Sequence, residues 1–216
     1  MTRLLSIISL IAAAIFVLAI LILHLLPTGV NPMVSGISFY ALTRYGYLLS
    51  LAFFSVSLSG IALSLALLPV VTSPAGRIGL LLLSVWGLAT VLAGIFPLDA
   101  PGSAPTLSGR IHNLAGMSFL LFTAALLLIE LSRSSGGFQL QRRSTTIWLT
   151  WMLLAAAVLL FVFNGPLYSM QIGGLFQRLY WLVSVLWLIF KSLQVLKWDS
   201  AHSTSRRIGT YLSTSR

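Results

Sequence analysis

The sequence predicts an all-α polytopic membrane protein: a six-transmembrane-helix bundle with both termini on the cytoplasmic side. Three observations predict it. First, 58% of the 216 residues are hydrophobic and only 7% are charged, against roughly 25% charged in a soluble domain. Thirteen Lys and Arg and three Asp and Glu are too few to cover a water-facing surface of this size, and the chain is too apolar for disorder. Second, six apolar runs each approach the roughly 20 residues that cross a bilayer as a helix. Third, the basic residues sort by side once those runs alternate.

The runs lie at about 4–26, 47–70, 78–96, 111–131, 146–164 and 178–196. Together they make a transmembrane domain over 1–197, followed by a basic, Ser/Thr-rich cytoplasmic tail over 198–216. Arg3 precedes the first run as in a signal peptide, but the run is longer than a signal h-region and no A-x-A site ends it, so it reads as a retained helix. Pro27, Pro32, Pro69, Pro74, Pro97, Gly109, Gly136 and Pro166 stand at the junctions, where both residue types interrupt helices. Small residues in the second to fourth runs (Ser55, Ser59, Gly60, Gly87, Gly94, Gly116) suit close helix packing in lipid. The hydroxyls of Ser50, Ser55, Ser57, Ser59 and Ser64 can be satisfied by carbonyls four residues back in their own helix.

Alternation of the runs puts Arg3, Arg77, Arg133, Arg142, Arg143, Lys191, Lys197, Arg206, Arg207 and Arg216 on one side, and Arg44, Arg110 and Arg178 on the other. The larger set marks the cytoplasm and points to a multi-pass protein of the plasma membrane. The net charge of +10 then reflects topology and anionic lipid, and no nucleic-acid partner is implied. The absence of cysteine excludes disulfides, thiol catalysis and cysteine metal ligands. No phosphate-binding Gly-rich loop, H-E-x-x-H or G-x-S-x-G is present, and the sequence leaves any cofactor unknown.

The minority arginines are spaced by 66 and 68 residues, and Pro27, Pro97 and Pro166 by 70 and 69. The chain thus reads as three helical hairpins, each with an outer loop ending in Arg, although other identities between hairpins are few. Asp99 is the only acid on that face. One reading pairs it with an arginine to fix loop geometry. A second makes Arg44, Asp99, Arg110, His112 and Arg178 an outward-facing cluster that binds an anionic lipid or a small anion, because Arg forks suit phosphate and carboxylate and helix N-termini favour anions. A third brings His24, Asp99 and His112 together as a two-His, one-carboxylate metal site for a membrane hydrolase. A structural or accessory subunit needs no site at all. Elsewhere, Glu130 and Arg133 are placed as a local helix pair, and Lys191 can snorkel to the inner interface.

The outer segments resemble a known family. Asn31-Pro32, Ile37-Ser38 and Tyr40, followed by Tyr45-Gly46-Tyr47, are similar to its N-P-x-x-x-x-I-S-x-Y and Y-G-[WY] region. Phe96-Pro97-Leu98-Asp99 resembles F-P-x-D, Gly109-Arg110-Ile111-His112 resembles G-x-[IL]-H, and Gly174-Leu175-Phe176-Gln177-Arg178 resembles G-x-x-[QE]-R. The family is domain of unknown function 998, six-span membrane proteins of prokaryotes. The resemblance implies a six-helix bundle and joint action of Asp99, His112 and Arg178, with no established activity. A remoter likeness, to alkaline ceramidases, implies a seven-helix zinc amidohydrolase. It needs three histidines where this chain offers two on the relevant face.

Overall fold

The structure, a computed structural model, describes residues 1–132, 143–164 and 166–214. Its helices are α1 (Thr2–Leu25), α2 (Gly46–Leu67), α3 (Pro74–Ile95), α4 (Leu107–Gly116), α5 (Phe119–Leu131), α6 (Arg143–Asn164) and α7 (Gly173–Thr214). Six stretches are long and apolar enough to cross a membrane, α4 and α5 together forming the fourth. Residues 26–45, 96–106 and 166–172 lie between helices at the end of the bundle away from the termini, the distal end. The basic segment after residue 197 continues α7 as helix to Thr214.

The helices start where local chemistry favours it. Ser73 accepts a hydrogen bond from the Gly76 amide at 3.1 Å, with Pro74 in the first turn of α3. Thr106 does the same for Gly109 at 3.1 Å and opens α4. Each oxygen satisfies an amide that the helix itself cannot. The fourth span breaks at Met117–Ser118 without a proline. The Ser118 amide turns back to Ala115 O at 3.0 Å, a tightened turn between Gly116 and Ser118 of the kind that kinks helices.

In packing order, α1 lies on α2, α2 on α3, α3 on α5, α5 on α6, α6 on α7, and α7 returns to α1. The spans close into a ring in chain order. Burial is distributed as lipid requires. On α1, Leu4, Ile11, Leu18 and Leu25, one heptad apart, are exposed, while Ser6, Ser9, Ala13, Ala19 and Leu23 are buried. Most of the buried positions are small, because contact between backbones, not removal from water, joins helices in lipid.

Serines of α2 tie the ring together. Ser57 and Ser50 donate to Gly87 O (2.6 Å) and Gly94 O (2.7 Å) of α3, and Ser64 donates to Leu80 O at 2.7 Å. Ser59 meets Ser9 of α1 at 3.0 Å, and Ser192 of α7 donates to Ser9 at 2.9 Å. Only Ser55 of the five uses its own helix, donating to Leu51 O at 2.7 Å. For the serines that bond α3 the intrahelical expectation fails because glycine lets α3 approach: a Cβ on Gly87 would sit 2.8 Å from Ile61 and 3.2 Å from Ser57 O.

Lys191 also departs from expectation. Arg133 lies outside the described residues, and Glu130 forms an ion pair with Lys191 at 2.7 Å, with side chains 7% and 6% exposed. Trp187 Nε1 donates to Oε1 at 3.0 Å, and Thr146 donates to Oε2 at 3.1 Å. Lys191 turns inward because a carboxylate offers the partner that a buried ammonium requires.

Candidate functional site

Arg178, in the second turn of α7, is the centre of one distal cluster. Its Nε–H donates to His24 Nε2 at 2.8 Å, and Nη1 donates to Pro32 O and Ser35 O, both at 2.7 Å, and to Gly174 O at 3.0 Å. His24 Nδ1 lies 2.7 Å from Ile20 O, an acceptor, so Nδ1 carries the hydrogen and Nε2 offers its lone pair to the guanidinium. Both ring nitrogens are thereby engaged. The guanidinium also lies over the Tyr40 ring, 5.9 Å from its centroid.

The same loop closes the N-terminus of α7. The amides of Gly174 and Leu175 donate to Val34 O and Met33 O, each at 3.1 Å, and Gln177 Oε1 accepts from the Ile37 amide at 2.6 Å. Glycine is required at 174 because a Cβ there would lie 2.5 Å from Ser35 O and 2.7 Å from Pro32 O. The amides that could have met an external anion are met by the protein's own carbonyls.

Asp99 heads a second cluster. Its carboxylate accepts from Thr106 Oγ1 at 2.6 Å and from the Thr106 amide at 3.0 Å, so it sits at the N-terminus of α4, against Gly109, where an anion is favoured. The Thr106 hydroxyl, then the Thr106 amide, and more weakly the Arg110 charge hold the carboxyl below its usual range, against a smaller opposing effect of burial. An Asp99–Arg ion pair is not formed among the described residues. Thr106 supplies two donors within reach, and Arg110 acts only through its field.

The other expected residues are placed apart. Arg44 bonds the Tyr45 hydroxyl and lies 4.7 Å from that ring's centroid. Arg110 is exposed on α4. The three arginines share no hydrogen-bond partner among the described residues. Their regular spacing in the sequence does not translate into equivalent roles. His24, Asp99 and His112 likewise serve separate partners, and no three His, Cys, Asp or Glu side chains are grouped to hold a metal among the described residues.

His112 leads to a feature that sequence reasoning missed. Its Nδ1 lies 2.8 Å from Phe96 O and 3.2 Å from Ala93 O, where it serves the end of α3. The ring is 4% exposed and forms part of the wall of a distal cavity of about 370 Å³. Aromatic side chains from α2 (Phe53), α3 (Trp86), α5 (Phe119), α6 (Phe161) and α7 (Tyr180, Trp181) line it. Thr90, Asn113, Ser118 and Gln177 add polar groups, and no Arg, Lys, Asp or Glu lines it. Asn113, Gly116 and Met117, at the break between α4 and α5, are exposed as well as part of the wall. The size and mixed lining are those of a small-molecule site. The one available signal was the aromatic content of 11%, spread over spans whose order around the ring the sequence does not display.

No curated protein and no solved structure matches the chain. A family model described as "Protein of unknown function (DUF998)" matches residues 10–193. That stretch takes in the Arg178 tie, the Asp99 cap and the whole cavity wall. With most of its length covered and six membrane-type helices in place, the chain belongs to this family.

Proposed function

We propose that the protein binds a membrane lipid in the distal cavity, from the outer leaflet of the plasma membrane. The observation that carries this reading is the cavity wall: aromatic groups from five helices around about 370 Å³, with a few polar groups and no Arg, Lys, Asp or Glu. Such a wall suits an amphipathic molecule, and lipid is the amphipathic molecule at hand. The excess of basic residues toward the termini supports a cytoplasmic terminal end and an outward-facing cavity. Arg44 and Arg178 are committed to the protein's own groups, so the affinity is assigned to the cavity and not to an arginine cluster. Arg110 is the guanidinium left to the membrane surface.

Gly116 offers the test. It belongs to the cavity wall, and a Cβ added there meets nothing within 4 Å. Gly116→Phe therefore introduces a ring without displacing the backbone. Native mass spectrometry of protein purified in mild detergent is expected to show lipid retained by the wild type and largely lost from Gly116→Phe. Equal retention by both, or none by either, would favour the purely structural reading.

A further inference from the structure

Resting on that cavity reading, we infer that His112 reads a neutral hydrogen-bond donor on the ligand, a hydroxyl group, through Nε2. The Nδ1 edge of the ring faces two carbonyl oxygens, Phe96 O at 2.8 Å and Ala93 O at 3.2 Å. A carbonyl only accepts, so Nδ1 carries the hydrogen. No carboxylate lines the cavity to balance a cation, and with the hydrogen on Nδ1 the lone pair lies on Nε2. That nitrogen has no protein donor among the described residues, although the ring is 4% exposed and part of the cavity wall. Buried polar atoms are normally satisfied, and this one is satisfied only by what enters the cavity.

Its neighbours point the same way. Thr90 spends its hydroxyl hydrogen on Trp86 O at 2.9 Å, and Tyr180 spends its own on Phe119 O at 2.9 Å. The Thr90 oxygen keeps acceptor lone pairs, whereas the Tyr180 oxygen has the Thr123 and Ser184 hydroxyls beside it. The buried wall at His112 and Thr90 thus presents acceptors, and the matching ligand brings the hydrogen; Gln177, its carbonyl occupied by the Ile37 amide, keeps N–H donors for a ligand oxygen. A fatty-acid carboxylate brings none, and meets no cation in the wall. The ligand class assigned is a neutral lipid bearing a free hydroxyl, of the acylglycerol type.

The probes are 1-monooleoylglycerol, methyl oleate and oleate, which share one acyl chain. Their equilibrium binding is measured on the purified full-length protein in detergent. Wild type is expected to bind the monoacylglycerol about tenfold more tightly than methyl oleate, as one hydrogen bond to a buried acceptor commands. Because His112 also caps α3, the informative variant is His112→Asn. Its amide nitrogen reaches the Nδ1 position and keeps the bond to Phe96 O, while nothing replaces Nε2. In this variant the tenfold preference should vanish. His112→Phe, which also removes the cap, should lose the preference and some thermal stability as well. An unchanged preference in His112→Asn, no preference in wild type, or tightest binding of oleate overturns the inference while leaving cavity binding intact. Failure of all three probes to bind overturns the cavity reading and the inference with it.

Discussion

Replacing Arg178 by Lys keeps the charge and removes the fork. In the wild type the guanidinium serves His24 on α1, the loop carbonyls of Pro32 and Ser35, and Gly174 O on α7. A lysine ammonium concentrates its donors on one atom and cannot address both directions. At least two charge-assisted bonds are lost. At the lower end of their range, about 1.5 kcal/mol each because the site is only half-buried, the cost is about 3 kcal/mol. For a chain of this length, roughly 2–4 °C per kcal/mol puts the fall in Tm at about 6–12 °C. The assay is thermal unfolding of purified protein in detergent without added ligand. His24→Ala, which removes one partner and leaves the carbonyls bonded, should cost about half as much. A Tm for Arg178→Lys within about 2 °C of wild type would refute the structural role and return Arg178 to the list of ligand-binding residues.

Three further outcomes follow from the geometry. Glu130→Gln should destabilise by about 3–5 kcal/mol, since it removes the carboxylate from a buried ammonium. The double variant Glu130→Leu, Lys191→Met should recover most of that in the same thermal assay, and equal costs for single and double variants would count against the pair. Gly109→Ala should lower the Tm, because the new methyl group meets the Asp99 carboxylate, whereas Gly116→Ala should leave it within about 1 °C because nothing lies within 4 Å. Asp99→Ala should be less stable than wild type by a margin that is constant at neutral pH and closes only below the ordinary carboxylate value of 3.8. The sign follows from linkage: a carboxyl lowered in the folded state contributes stability above its unfolded value and loses it as pH falls through its folded value. A margin that closed nearer neutrality would contradict the Thr106 cap.

The spans were legible because bilayer thickness imposes a length and an apolar composition that survive in any one sequence. All six runs overlap observed helices. The start of α3 at Pro74 was signalled by Ser73-Pro74, but the break at Met117–Ser118 was not, since it rests on a tightened turn between two small residues. The candidate residues were legible as anomalies and their partners were not. Arg178 stood out as a charge on the sparse side, yet two of its acceptors are backbone carbonyls more than 140 residues away, and any residue type carries a carbonyl. Glu130 and Lys191 looked like separate helix-end groups because pairing across α5 and α7 depends on which helices adjoin. The same ignorance of neighbours hid the cavity, whose wall draws a few residues from each of the helices α2 to α7. Asp99 was marked correctly as an anion in need of stabilisation, but two donors from Thr106, seven residues on, left an arginine unnecessary.

The most direct test of lipid binding in the distal cavity is photolabelling of the membrane-embedded protein with a diazirine-bearing acyl lipid, with and without excess unlabelled lipid, read by peptide mapping. The account predicts competable labelling at Trp86 to Thr90, at His112 to Phe119 and at Gln177 to Trp181. The lipid-facing row of α1 at Leu4, Ile11 and Leu18 should be labelled without competition. Labelling of the cavity segments that is absent, or that excess lipid leaves unchanged, would contradict it.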